Sequence, residues 1–167
     1  MRLFIAIKLN EEIKQELIEA QNRMYESGVS GKFSPEENLH LTLAFIGEYP
    51  DPEAVMDVIS TVPFTPFDIA LDGFGTFTDT WWAGVKENPA LQAVVRRIRR
   101  ALSEAGIPFD KKPFRPHITL VRRAKAQLGV PEMEALSACM RVMYISLMRS
   151  DRGKNGMIYT EVGRVES

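Results

Sequence analysis

Asn38-Leu39-His40-Leu41-Thr42-Leu43-Ala44-Phe45-Ile46-Gly47 is the stretch on which the reading turns, because its centre returns later in the chain. His40-Leu41-Thr42-Leu43 is echoed by His117-Ile118-Thr119-Leu120, and these are the only two histidines in 167 residues. Both segments are apolar enough to be strands. A strand repeats every two residues, so His and Thr at i and i+2 share a face, about 7 Å apart. Leu41 and Ile118 point the other way. Each motif therefore presents one imidazole and one hydroxyl on a polar side backed by an apolar one. Threonine fills about one position in twenty here, so chance would place it after both histidines in about one shuffle in 400.

Working outward, residues 2–9 read as a strand with Leu3, Ile5 and Ile7 on one face. Asn10 starts a helix that carries Ile13, Leu17, Ile18 and Met24 at helical spacing. Residues 27–35 read as a loop, 39–47 as the first motif strand and 53–61 as a short helix. Strands are expected at 67–71 and 81–86, joined by the Gly-rich stretch 72–80. Residues 89–105 form the clearest helix: Asn88 caps it, Pro89 suits its first position and Gly106 ends it. Pro108, Pro113 and Pro116 stiffen the approach to the second motif strand, 117–122. A linker with a helical turn or two is expected over 124–140, then a hairpin of 142–149 with 157–163. The order of elements suggests a duplication in which each half offers one His-x-Thr strand, within a single domain spanning 1–167.

Composition narrows the function classes. Apolar residues make up 45%, enough for a sizeable core. No stretch approaches a membrane span, and the apolar run after Met1 is too short for a signal peptide, so a cytoplasmic protein without membrane contact is expected. Cys139, the single cysteine, excludes an internal disulfide and a cysteine-based zinc site. Net charge is −1, yet charge is segregated. Residues 1–95 carry 6 Lys and Arg against 15 Asp and Glu, whereas 96–125 carry 10 against 2. Arg96, Arg97, Arg99 and Arg100 fit a solvated helix face as well as a functional patch. Arg115, Arg122 and Arg123 lie within a few residues of His117 and point more strongly to a phosphate site.

Two histidines alone make an incomplete metal site, and no metal or cofactor is expected. No Gly-x-Ser-x-Gly elbow is present for a serine nucleophile. Acid–base chemistry remains: a neutral imidazole accepts a proton from a nucleophile while an imidazolium gives one to a leaving oxygen. Around a phosphorus attacked in line, two such groups belong on opposite sides, with Thr hydroxyls and an arginine on the phosphoryl oxygens.

Arg2-Leu3-Phe4-Ile5-Ala6, the stretch 38–47, Phe114-Arg115-Pro116-His117-Ile118-Thr119-Leu120-Val121-Arg122 and the ending around Tyr159-Thr160 together resemble the two-histidine phosphoesterase superfamily. Within it, the chain is similar to the RNA 2',3'-cyclic phosphodiesterases, also called 2'-5' RNA ligases. The resemblance implies a bilobal α+β fold: two antiparallel sheets around a central cleft, helices on the outer faces and a pseudo-twofold relation. It implies hydrolysis of RNA 2',3'-cyclic phosphate ends, tRNA fragments among the candidates, to 2'-phosphomonoesters; with no clear oligomerisation signal in the sequence, a monomer is expected. The reverse sense would join such an end to a 5'-hydroxyl. His40 is then the proton donor and His117 the acceptor, a choice that chemistry alone leaves open. Thr42, Thr119 and Arg122 bind the phosphate. A regular strand, however, would put Arg123 rather than Arg122 on the His117 face. Arg115 and Phe4, the latter as a stacking platform for a base, are further candidates. Trp81 and Trp82 read as core and edge residues. The alternatives are a small substrate such as an ADP-ribose cyclic phosphate, or an RNA-binding module without catalysis.

Overall fold

A computed structural model describes residues 1–167. β1 (Arg2–Lys8) runs into α1 (Glu11–Glu26), where the Asn10 side chain accepts the Ile13 N–H. β2 (Val29–Phe33) and a 3-10 turn at Glu36–Asn38 lead to the first motif strand, β3 (His40–Glu48). α2 (Pro52–Ile59) follows, capped by Asp51. The hairpin of β4 (Phe67–Phe77) and β5 (Thr80–Val85) precedes α3 (Pro89–Glu104). The second motif strand is β6 (His117–Ala126), followed by β7 (Cys139–Val142), β8 (Tyr144–Gly153) and β9 (Gly156–Glu166).

The strands form two antiparallel sheets, β3-β1-β8-β9 and β2-β6-β5-β4-β7. Each draws strands from both ends of the chain: β8 and β9 join β1, and β2 crosses to pair with β6. The repeat is looser than the doubled motif suggests, since β3 is an edge strand and β6 lies inside its sheet. α1 packs on β2, β6 and β7, whereas α3 packs on β3, β4 and α2. Asn88 accepts the N–H groups of Ala90 and Leu91 to start α3, and Leu91, Val94, Val95, Ile98 and Leu102 form its buried stripe. Each large aliphatic side chain so buried contributes about 1.5–3 kcal/mol. Leu3, Ile5 and Ile7 of β1, Leu41 and Leu43 of β3, and Ile118 and Leu120 of β6 belong with this stripe to one continuous core. No helix is long and apolar enough to cross a membrane.

Three expectations need correction. Residues 29–33 are a strand, because Val29 and Phe33 face the core while Ser30, Gly31 and Lys32 stay exposed. Residues 72–77 continue β4 through their glycines rather than forming a loose connection. The 124–140 segment contains no helix. β6 runs on to Ala126, and 129–138 has no regular structure and is held to α1 where Glu16 accepts the N–H groups of Ser137 and Ala138.

α3 also ties the two sheets together. The Arg99 guanidinium donates to the Leu43 carbonyl of β3 at 3.1 Å and to the Lys112 carbonyl on the approach to β6 at 2.7 Å. Its rim packs near the rings of Phe109 and Phe114. Burial lowers its pKa, opposed by Asp110. One member of the arginine cluster is thus a strut between the motif strands, and that is the work the sequence left undecided.

Candidate active site

β3 and β6 carry the two motifs to one place. Their backbones approach within 8 Å, Cα to Cα, without pairing. Each histidine is fixed in the same way. His40 Nδ1 lies 2.7 Å from the Asn38 carbonyl, and His117 Nδ1 lies 2.6 Å from the Arg115 carbonyl. A carbonyl only accepts, so both Nδ1 atoms carry the proton, and both Nε2 atoms are bare when the ring is neutral. The carbonyl two residues upstream therefore sets the tautomer that proton transfer at Nε2 requires.

The surroundings then diverge. His40 Nε2 accepts the Thr42 hydroxyl at 2.8 Å, and its ring leans on Phe4 (centroids 4.9 Å apart) and Tyr159 (5.2 Å). Phe4 is 4% exposed, so it forms a wall behind His40 rather than an open platform. Burial lowers the His40 pKa most. The Asn38 carbonyl opposes it, and the positive charges of Arg122 and His117 lower it further. The free site thus favours a neutral His40. His117 instead sits among Phe77 (4.9 Å, edge-on) and Trp82 (5.9 Å), and the Thr119 hydroxyl makes no bond to it.

A bulge decides between the two arginines. Trp82 pairs with Thr119 but Trp81 pairs with Val121, so Leu120 is an extra residue in β6. The faces switch there. Leu120 and Val121 are both buried, and Arg122 returns to the side of His117 and Thr119. The freed Leu120 carbonyl accepts from the Ser34 N–H at 2.9 Å and from Nε2 of Gln21, a buried α1 residue, at 3.0 Å. Arg123 sits at a second irregularity with φ 55° and drops out of the pairing with β2. Arg122 pairs with Lys32, so this lysine shares its face and adds a cation to the same edge. Arg115 serves through its carbonyl, and its side chain lines a separate cavity beside His117.

Reading the sequence missed four residues: Lys32, Gln21, Tyr159 as a neighbour of His40, and Trp82. Trp82 faces the cleft on an interior strand and is no edge residue, whereas Trp81 packs on the core. The out-of-phase pair Leu120-Val121 was the available signal for the bulge. Lys32 and Gln21 gave none, since their places depend on pairing across the chain.

A pair of sheets with a His-x-Thr strand from each meeting in one cleft defines a two-histidine phosphoesterase, and the chain belongs to the 2'-5' RNA ligase superfamily, whose family model matches residues 11–154. It is similar to the RNA 2',3'-cyclic phosphodiesterase of Thermotoga maritima, 34% identical over 132 residues that span 73% of this chain and 70% of that one. The Thermus thermophilus enzyme of the same name is 33% identical, with 96% of this chain and 87% of that one covered. Among solved structures, E. coli LigT in its apo form superposes with a TM-score of 0.84 at 27% identity, covering 99% of this chain and 96% of that one. LigT has also been crystallised with 3'-AMP (TM-score 0.82) and with phosphate (0.81).

Proposed function

We propose that this protein hydrolyses the 2',3'-cyclic phosphate at RNA ends to a 2'-phosphomonoester, with His117 as base and His40 as acid. The observation that carries the reading is the matched pair of imidazoles on neighbouring strands, each with Nδ1–H held by a carbonyl and Nε2 as the free basic atom, close enough for His117 to influence the His40 pKa. Relatives at 33–34% identity are named for this activity, and LigT accommodates a nucleotide and phosphate.

His117 Nε2 takes a proton from water as its oxygen attacks phosphorus. The P–O3' bond breaks in line, and His40 Nε2–H delivers its proton to the departing 3'-oxygen. Thr42, Thr119 and Arg122 hold the phosphoryl oxygens, where charge-assisted bonds are strongest. The depressed His40 pKa fits this scheme once substrate is present. The phosphodiester anion offsets the charge of Arg122, so binding raises the His40 pKa against the burial that lowers it and favours the protonated ring. When Nε2 takes up that proton it no longer accepts the Thr42 hydroxyl, which then turns to the phosphoryl oxygen. Lys32 and Arg122 along one edge suit the phosphates of an RNA chain. A 5'-hydroxyl in place of water gives the joining reaction at the same atoms.

The test is a short RNA with a 2',3'-cyclic phosphate end, incubated with EDTA and followed by phosphorus NMR. A 2'-phosphomonoester at undiminished rate is expected. No turnover, a 3'-phosphate product or turnover abolished by chelation would reject the reading. A mononucleotide substrate should turn over less efficiently than the oligomer, with a difference that shrinks as salt rises.

A further inference from the structure

The β2-β6-β5-β4-β7 sheet carries a cavity of about 430 Å³ that is lined by His117 and not by His40, a size typical of small-molecule sites. The proposed hydrolysis leaves it without a purpose, since water needs no such space. We propose that it seats the nucleoside bearing the 5'-hydroxyl that replaces water in 2'-5' joining, so that the protein has a built acceptor subsite. This rests on the acid–base assignment above.

Geometry chooses the occupant. In-line attack puts the ribose of the cyclic phosphate on the His40 side, with its 3'-oxygen departing there. Whatever carries the nucleophilic oxygen must then lie on the His117 side, and the cavity begins at His117 without including His40, Thr42 or Thr119. The acceptor's 5'-oxygen bonds to phosphorus, its proton passes to His117 Nε2, the P–O3' bond breaks and His40 protonates the 3'-oxygen. The products are a 2'-5' phosphodiester and a 3'-hydroxyl, driven by opening of the cyclic ester with no further reactant.

The walls fit a nucleoside and disfavour a phosphorylated end. Phe77, Trp82 and Phe114 supply aromatic surface, and bases of any identity stack on such faces. Two glycines set the wall. Gly84, paired with His117, lets the Asp72 carbonyl approach where a Cβ would strike it, and any Cβ on Gly75 would strike the Trp82 ring. Asp72 and Glu87 offer acceptors to ribose hydroxyls and base amines, Gln92 supplies a donor, and the two carboxylates outweigh the single cation Arg115 on the same wall, which disfavours a 5'-phosphate. A 5'-hydroxyl end is also the only one that can act as nucleophile. Trp82 is moreover a poor choice for packing alone. Its Nε1–H is buried without a partner, a defect that Phe would not have.

The first test is a nitrogen–proton NMR titration that follows the Trp82 indole N–H, assigned by its loss in Trp82→Phe. A short RNA with a 5'-hydroxyl and a blocked 3' end should shift it saturably, and the same RNA with a 5'-phosphate should not. A shift with a 2',3'-cyclic nucleotide instead, or no saturable shift, overturns the assignment. The second test measures the ratio of 2'-5' product to hydrolysis product as acceptor is raised. The ratio should saturate in the wild type and fall about tenfold in both Trp82→Phe and Gln92→Trp, with Trp82→Phe keeping or raising Tm. A strictly linear ratio, or one unchanged in both variants, also overturns it. Loss of all cyclic-phosphate turnover in the wild type would defeat the acid–base reading instead, and the titration would still decide the cavity.

Discussion

His40 and His117 obey one local rule and live in different neighbourhoods. Both rings are aimed by a carbonyl two residues upstream, so the motif itself encodes tautomer and direction. His40, however, lies on an edge strand against Phe4 and Tyr159, with its Nε2 already holding the Thr42 hydroxyl and its pKa pushed down, above all by burial. His117 lies inside the larger sheet beside an open cavity. The difference teaches that a repeated motif can supply matched reactive atoms while the rest of the fold assigns them separate work. In the proposed reaction, the closed side would face the leaving oxygen and the open side the nucleophile.

That comparison can be broken at several points. The largest effect is expected from the rings themselves: His40→Ala and His117→Ala should each lower kcat by about 10²–10⁴-fold. The double variant should lose little more than the worse single one, because both act in one step. Additive losses would mean that the rings work in separate steps. Next, Arg122→Ala should lower kcat/KM by roughly 10- to 100-fold, as expected for about 1.5–3 kcal/mol from a charged hydrogen bond. Arg123→Ala should cost much less; the reverse order would contradict the register. Gln21→Leu leaves the bulged Leu120 carbonyl with one donor. It should cost about 1–3 kcal/mol in urea unfolding and should lower kcat/KM for the same reason as loss of Arg122. Arg99→Ala should cost about 1.5–3 kcal/mol by removing the strut between Leu43 and Lys112.

The smallest effects are in pH dependence. The lowered His40 pKa means that the unfolded chain takes up this proton first as pH falls through about 6.5. The stabilisation from His40 is therefore complete above that value and is lost toward the folded-state pKa. His40→Gln should flatten the fall in stability between pH 7.5 and 5.5. In kinetics, the limb of kcat/KM that His40→Gln alters reports His40 in the free protein, and the matching limb of kcat reports it with substrate bound. The kcat limb should lie at higher pH, and coincident limbs would deny that substrate raises the His40 pKa.

Much of this was legible from residues alone. The His-x-Thr strands, the capped helices at Asn10 and Asn88 and the two-sheet α+β plan rest on local periodicity and on end signals that act within a few residues. What failed to show was set by pairing at a distance. Lys32 reads as loop because only Val29 and Phe33 of its strand are apolar, and it joins the Arg122 edge solely through the β2–β6 register. The conflict over Arg122 and Arg123 was visible as a phase problem, but its cause, one extra residue at Leu120 held by Gln21 from α1, lies 99 positions away. Trp82 was misplaced because strand order, which puts β5 in the interior, cannot be read from β5 itself.

The central claim is that the two rings serve opposite flanks of one phosphorus with no covalent intermediate. Its most direct test is the hydrolysis of a single diastereomer of a 2',3'-cyclic phosphorothioate in oxygen-18 water, followed by configurational analysis of the 2'-thiophosphate. One in-line displacement predicts inversion at phosphorus. Retention, or a racemic product, would contradict it.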